Sequence, residues 1–340
     1  GIQPGTEWGR NWQSGYFLLA ADIPDGFPCS DAVLSADLGG EVQIYDDEGN
    51  ALFGLTDGSS FDCNYVKSEE RIVVVPGHCR IYAEAAANNL FGLSRREMKF
   101  SRDIPEPEGR HIGIFRYADI AIINRKLHEL YVSMDALFDL YKNIDRNSIK
   151  AVRIISSLFN AMTAYSRSGA EEALKIIGRE LAKPASASFL STAVIGHAHI
   201  DTGWLWPIAE THRKVMRTFS SQIVNLDNYP EYIFGASSPL HYEWVKTEHP
   251  RLFRKIKDAV ASGRWELLGG MWIEPDCNLV SGESLVRQIL HGKNFFRKEF
   301  GKDVRTCWIP DSFGYPASLP QILAKSGIRY FSTQKISWSL

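Results

Sequence analysis

The sequence predicts an α/β protein: a parallel βα-repeat domain in its second half, preceded by a β-sandwich-like segment and a helical spacer. Three observations carry this expectation. Runs rich in β-branched and aromatic residues alternate with turn residues up to about residue 115; apolar residues then recur at three- and four-residue steps; after Pro184, strand-like and helix-like stretches alternate. A chain of 340 residues exceeds the ~100–200 of one typical domain. The expected bounds are 1–115, 116–183 and 189–340.

Within the first segment, Tyr16-Phe17-Leu18-Leu19-Ala20 and Arg71-Ile72-Val73-Val74-Val75 read as strands. Asp46-Asp47-Glu48-Gly49-Asn50, between two such runs, reads as a hairpin turn. A carbohydrate-binding module is the alternative to a purely structural sandwich, but no binding residue stands out. From Tyr117 the period changes. Ile120, Ile123, Leu127, Leu130 and Met134 make one helical stripe; Val152, Ile155, Leu158, Phe159 and Met162 make a second; a third helix covers roughly 170–181. Pro184-Ala185-Ser186-Ala187-Ser188 reads as a linker. Strands are then expected at 192–197, 232–235, 265–268, 304–309 and 330–333. Ser281 is a good N-cap, and Gly263, Gly301 and Gly327 are good helix ends. Five βα units are too few for a closed barrel, so either the sheet is open or the rest of it lies beyond Leu340.

Lys plus Arg number 38 and Asp plus Glu 40, for a formal charge of −2, which supplies no cationic field for nucleic acid or an anionic membrane. Hydrophobic residues at 44% and charged residues at 23% suit a globular chain. No apolar run approaches the ~20 residues of a bilayer span. Cys29, Cys63, Cys79, Cys277 and Cys307 are few and widely spaced, which points to a reducing, cytoplasmic compartment over a disulfide scaffold. The chain opens on Gly1 without Met and stops just after a strand-like run, so it is expected to be part of something longer.

The densest chemistry lies in Gly196-His197-Ala198-His199-Ile200-Asp201-Thr202-Gly203-Trp204. Residues two apart in an extended chain point the same way, so His197, His199 and Asp201 can share one face. Imidazoles and a carboxylate are the donors that zinc and related divalent ions prefer; histidines satisfying core hydrogen bonds are the alternative. Trp308-Ile309-Pro310-Asp311-Ser312-Phe313-Gly314-Tyr315 ends a later strand. Parallel strands deliver their C-terminal ends to one rim, so Asp311 can meet His199 and Asp201 there. Seven of the nine tryptophans follow residue 200. Trp244 and Trp265 read as core, whereas Trp204 trails the candidate ligands by three residues and offers a flat face to a sugar ring.

These motifs make the chain recognisable. It resembles glycoside hydrolase family 38, the retaining α-mannosidases, and looks closest to the cytosolic or ancestral-type branch. The resemblance runs through HAHIDTGWLWP, Gly269-Gly270-Met271-Trp272-Ile273-Glu274-Pro275-Asp276, Ser281-Gly282-Glu283, Val286-Arg287-Gln288, WIPDSFGY and Thr333-Gln334-Lys335. It implies an incomplete β/α barrel of the family 38 type and cleavage of terminal α-linked mannose from oligosaccharides with retention. It further implies zinc, with cobalt as a substitute, bound by His199, Asp201 and Asp311, His197 being a neighbour only. Asp311 would double as the nucleophile, Trp204 and Phe313 would line the mannose pocket, and Lys335 stands where other members carry Arg at the substrate. The family's fourth ligand, a His, and its acid, an Asp, come later in the chain than Leu340. The expected partners are thus an α-mannoside oligosaccharide and the remaining C-terminal part of the same protein, with a homo-oligomer also open. Two other readings stay open: a metal-dependent amidohydrolase or sugar deacetylase, which would need further histidines, and a non-catalytic sugar-binding fragment.

Overall fold

A computed structural model describes all residues except 11, 57–66, 89–111, 186–189, 205 and 339–340. Cys63 and the linker residues Ser186, Ala187 and Ser188 therefore lie outside the described residues. Four strands, β2 (Ser14–Ile23), β4 (Glu41–Tyr45), β5 (Ala51–Leu55) and β7 (Gly77–Ala86), form an antiparallel sheet in the order β2-β7-β4-β5. A second sheet sets β3 (Ala32–Asp37) between β6 (Glu69–Arg71) and β9 (Tyr117–Ile122). A short pair, β1 (Glu7–Arg10) and β8 (Ile112–Ile114), completes this part. Leu34 and Leu38 from one sheet meet Val42, Ile44, Phe53 and Ile81 from the other in a closed core, which is the arrangement of a sandwich. The β4–β5 turn is held by Asp46, whose Oδ1 accepts from the backbone of Glu48 at 2.9 Å and of Asn50 at 2.8 Å.

Two expectations need correction here. The β-structure does not stop near 115: Tyr117–Ile122 pairs antiparallel with β3 along its whole length, so Ile120 belongs to a strand and not to a helical stripe. Its neighbours Ala118 and Ile120 pack on the sandwich, and the alternation of that packing is invisible when Ile120 is read together with Ile123 and Leu127. In the run 71–75 the strand ends at Arg71 and one further backbone bond, Ile72 N to Ala32 O at 3.3 Å, follows; beyond it Val74 is buried while Val73 and Val75 point to solvent.

The spacer is a three-helix unit: α1 (Arg125–Lys142), capped by Asn124; α2 (Ile149–Ser168), capped by Ser148; and α3 (Ala170–Leu181). Its core takes up only part of the expected stripes: Leu130 and Leu158 are buried in it, and Met134 and Ile155 pack against it. Ile154, Leu158 and Ala161 of α2 pack there with Leu130 and Leu137 of α1 and Ala173 and Ile177 of α3, whereas Leu127, Val152, Phe159 and Met162 are exposed. Apolar residues cover more than one face of α2, and the buried face is the one that α1 and α3 cover.

In the second half, β10 (Gly196–His197), β11 (Phe234–Ala236) and β12 (Trp265–Leu267) form a parallel sheet in that order, and β13 (Thr306–Trp308) pairs in parallel with β14 (Tyr330–Ser332). Helices α4 (Ile208–Asn228), α5 (Pro239–Glu248), α6 (Pro250–Ala261), α7 (Gly282–Phe300) and α8 (Leu319–Lys325) lie between them. Ser281 caps α7 through its hydroxyl, and Gly301 closes it in the left-handed region. Trp265, Tyr242, Phe219, Phe234 and Phe296 fill the core beneath, and Trp244 packs partly buried against it. The first expected strand is much shorter than 192–197. Leu190 and Val194 are 92% and 86% exposed, because β10 is the edge of its sheet and no described strand pairs beyond it.

Helix α4 binds the two halves together through buried charge. Glu41 of β4 accepts from Lys214 at 2.5 Å, Arg217 at 2.9 Å and Asn88 at 2.7 Å, while Glu210 holds both Arg217 and Arg213. Burial alone would raise the Glu41 carboxyl, but Lys214 and Arg217 outweigh it and bring the pKa down to about 2. Gly54 lies against Arg217, where any Cβ would come within 2.8 Å of the Arg217 Cβ, and its N–H donates to Ser221. Removing one partner from such a network strands the others without water. Glu210→Ala is therefore expected to destabilise the chain by about 3–5 kcal/mol, whereas Arg287→Ala, at an exposed i,i+4 pair, costs under about 1 kcal/mol. Thermal or urea unfolding of the two variants checks the contrast; equal losses would contradict it.

Candidate metal centre

Three strand ends and the loops after them build the site. His197, in β10, is fully engaged: its Nδ1 lies 2.9 Å from the Gly235 carbonyl, and its Nε2 accepts from Trp308 Nε1 at 3.1 Å. The carbonyl fixes the proton on Nδ1, and burial holds the ring's pKa below that of an ordinary imidazole. His197 therefore fastens β10 to β11 and β13.

Two residues on, His199 turns Nε2 toward Asp201 Oδ1 at 3.4 Å and Asp311 Oδ2 at 3.9 Å. Donor atoms of His199, Asp201 and Asp311 all lie within 4.8 Å of one another, and no other such group occurs among the described residues. The three are a quarter to a third exposed, so solutes can reach them. One imidazole with two carboxylates is a donor set suited to zinc and similar divalent cations. His212, His241 and His249 stand elsewhere. His212 pairs with Glu248 at 2.7 Å, His241 contacts Thr202 at 3.0 Å, and His249 stacks on Tyr45.

The loop after β10 is held from below. Thr211 Oγ1 accepts from Gly203 N and Trp206 Nε1, both at 3.0 Å, and donates to the Asp201 carbonyl at 3.3 Å. Gly203 has φ +80°, and a side chain there would strike Ile208. Trp204 is half exposed and meets Trp206 edge-on. Asp311 is fixed by its flanks: Tyr315 donates to Ile309 O, Ser312 donates to Pro275 O at 2.8 Å, and Gly314 sits where any Cβ would collide with Asn278. Lys335 Nζ lies 3.1 Å from Asp311 Oδ1 and 4.4 Å above the exposed Phe313 ring. The structure thus gathers His199, Asp201, Asp311, Phe313 and Lys335 in one place, and Trp204 stands on the loop after β10 with its ring against Trp206.

Glu274 was not among the residues expected to act. Its Oε2 lies 3.1 Å from His199 Nδ1, and its Oε1 accepts from Ser237 at 2.7 Å. The Nδ1–H is turned out of line, so these two buried atoms make an ion-pair contact without completing a hydrogen bond. A carboxylate behind the second nitrogen fixes an imidazole's rotation and makes its free nitrogen a better donor. The signal was present: an acid following a strand that ends on the same rim as Asp311. Burial pulls the His199 pKa down, but contacts with Asp201 and Glu274 outweigh that and hold it at about 10.

Residues 189–340 match the family described as glycosyl hydrolases family 38 N-terminal domain, and residues 1–140 match the one described as alpha-mannosidase, jelly roll domain. Alpha-mannosidase 2C1 of Homo sapiens is 33% identical over 99% of this chain and 32% of its own length. An alpha-mannosidase of Saccharomyces cerevisiae is 33% identical over 76% of this chain and 25% of its own. The chain thus spans about a third or less of the length of these curated relatives. Among solved structures, an alpha-mannosidase from Enterococcus faecalis V583 aligns with 41% of this chain and 16% of its own, at 26% identity and a TM-score of 0.38.

The site makes two expectations. Replacing Glu274 by Ala should weaken divalent-metal binding by about 10–100-fold, and Gln should recover part of it; calorimetric titration with zinc measures this, and unchanged affinity would remove Glu274 from its role. With a pKa of about 10, metal-free His199 is protonated at pH 7, so a ligating Nε2 must shed that proton. Zinc titrations in buffers of different ionisation enthalpy should report release of about one proton, and affinity should climb between pH 7 and 9. Release of none would show His199 to be no ligand.

Proposed function

We propose, for a chain that belongs to glycoside hydrolase family 38 and carries its N-terminal part, that it supplies the metal ligands and nucleophile of a retaining α-mannosidase acting on terminal α-linked mannose. The observation that carries this reading is the convergence of His199, Asp201 and Asp311 within 4.8 Å. That donor set fits zinc, with cobalt as the substitute. When bound, such a cation acts as a Lewis acid toward vicinal sugar hydroxyls and orients the ring.

The remaining steps are assigned to the protein's own groups. Asp311 attacks the anomeric carbon as the bond to the leaving oxygen breaks, and that oxygen takes the electron pair and a proton from a second carboxylic acid. Water then replaces Asp311 at the same carbon, returning its proton to the second group and freeing the carboxylate. Two inversions give net retention. The geometry requires the acid about 5–5.5 Å from the nucleophile, and we assign it, with one further metal ligand, to residues outside this chain.

Lys335, ion-paired to Asp311 Oδ1, sets the carboxylate's orientation. Phe313 and Trp204, both exposed aromatic rings, offer faces to the sugar's C–H surface. The parallel strands are read as the opening part of a β/α barrel. No helix among the described residues is long and apolar enough to cross a membrane, and a cytoplasmic location rests on the cysteine usage, with Cys29, Cys79, Cys277 and Cys307 all free.

In the complete protein, Asp311→Ala should lower kcat/KM on an aryl α-mannoside by on the order of 10³-fold or more, and Lys335→Arg should retain more activity than Lys335→Ala. Turnover unchanged by Asp311→Ala would refute the nucleophile assignment, and full activity after exhaustive chelation would refute the metal.

A further inference from the structure

The outward face of the four-stranded sheet is only half covered. Cross-strand register places Tyr16 opposite Glu84 and Glu84 opposite Gln43, and in the next row Leu18 opposite Tyr82 and Tyr82 opposite Tyr45. Helix α4 lies over the β4–β5 half, where Gly54 and Gln43 contact it. The β2–β7 half stays open, with Tyr16 78% exposed. At the step between helix and open sheet lies a cleft of about 440 Å³, within the range of small-molecule sites. Tyr45 and Glu84 form its floor; His212 and Arg213 of α4, with Glu248 and His249, form its walls.

Three features of this cleft define what it can hold. Its polar groups are engaged beforehand: Glu84 accepts from the neutral hydroxyls of Tyr16 at 3.2 Å and Tyr45 at 3.1 Å, Glu248 holds His212 at 2.7 Å, and Arg213 holds Glu210 at 2.6 Å. The phenols leave the Glu84 charge in place, which disfavours an anion in the cleft, and each carboxylate keeps lone pairs that accept from hydroxyls. Its aromatic lining is supported by ring contacts, Tyr45 of the floor stacking on His249 at 5.9 Å and His212 on Trp244 at 3.8 Å. Finally, it is separate from the metal centre. Ala209, His212, Arg213 and Met216 put the cleft on one stripe of α4, at i, i+3, i+4 and i+7, while Thr211, which reaches the Asp201 carbonyl, lies off that stripe.

We propose that this cleft is a second, non-catalytic binding site for a neutral oligosaccharide. Sugar rings present C–H faces to the aromatic walls and hydroxyl edges to Glu84 and Glu248. The site goes beyond the reading of the metal centre and does not depend on it.

The test uses the chain carrying Asp201→Ala and Asp311→Ala, so that the metal centre contributes nothing, titrated with α-linked mannotriose and followed by saturation-transfer NMR. Saturable binding should persist. It should fall by about tenfold or more with Tyr45→Ala and with Ala209→Trp, which plugs the cleft from an exposed position on α4 and removes no buried contact. Should Tyr45→Ala fail to fold, Ala209→Trp and Tyr45→Phe carry the comparison. No saturable binding in the double variant, indifference to Ala209→Trp, or tighter binding of mannose 6-phosphate than of mannotriose would overturn the proposal. Because the readout is binding by a chain without its nucleophile, its failure is distinct from a failure of the proposed hydrolysis.

Discussion

Two aspartates are held against one imidazole at the rim of a parallel sheet, and the rest of the structure answers to that constraint. At up to 4.8 Å the carboxylates repel by about 3 kcal/mol or more at an effective dielectric near 20. Left alone they would swing apart into solvent. His199, Lys335 and a divalent cation are the positive groups that can offset this, and the loops are fastened so that relaxation by swinging is closed off. Ser312 is tied to Pro275, Glu274 to Ser237, and Asp201 through its backbone to Thr211. The loop carrying Glu274 thereby joins the ends of four strands.

That fastening extends into the sandwich. Thr211 sits one residue from Glu210, whose buried carboxylate shares Arg217 with Glu41 on β4. A displacement of α4 would break charge-assisted bonds that have no water to replace them. The N-terminal sheet is thus a buttress for the helix that supports the metal-binding loop. It is also what leaves the cleft at the helix's other face.

Much of this was legible in the sequence because each signal was local. Alternate residues of HAHID put His199 and Asp201 on one face, the parallel-rim argument brought Asp311 to them, and Ser281, Gly263, Gly301 and Gly327 punctuate helices as expected. What the sequence hid depended on packing partners. The buried face of α2 is the one that α1 and α3 cover, so Ile154, Leu158 and Ala161 lie inside while Val152 and Phe159 stay exposed. Ile120 carries no mark distinguishing the last residues of a strand from the first of a helix. Glu274 stood in plain view, but its role appears only when the second nitrogen of His199 is seen to face it. The cleft needed cross-strand register and the placement of α4, neither of which periodicity contains.

The most direct test of the central claim is anomalous diffraction at the zinc edge from crystals of the chain grown with excess zinc. A single dominant peak should lie between His199 Nε2 and one oxygen each of Asp201 and Asp311, about 2.0–2.2 Å from each. A peak elsewhere, or none with those three side chains turned apart, would contradict the account.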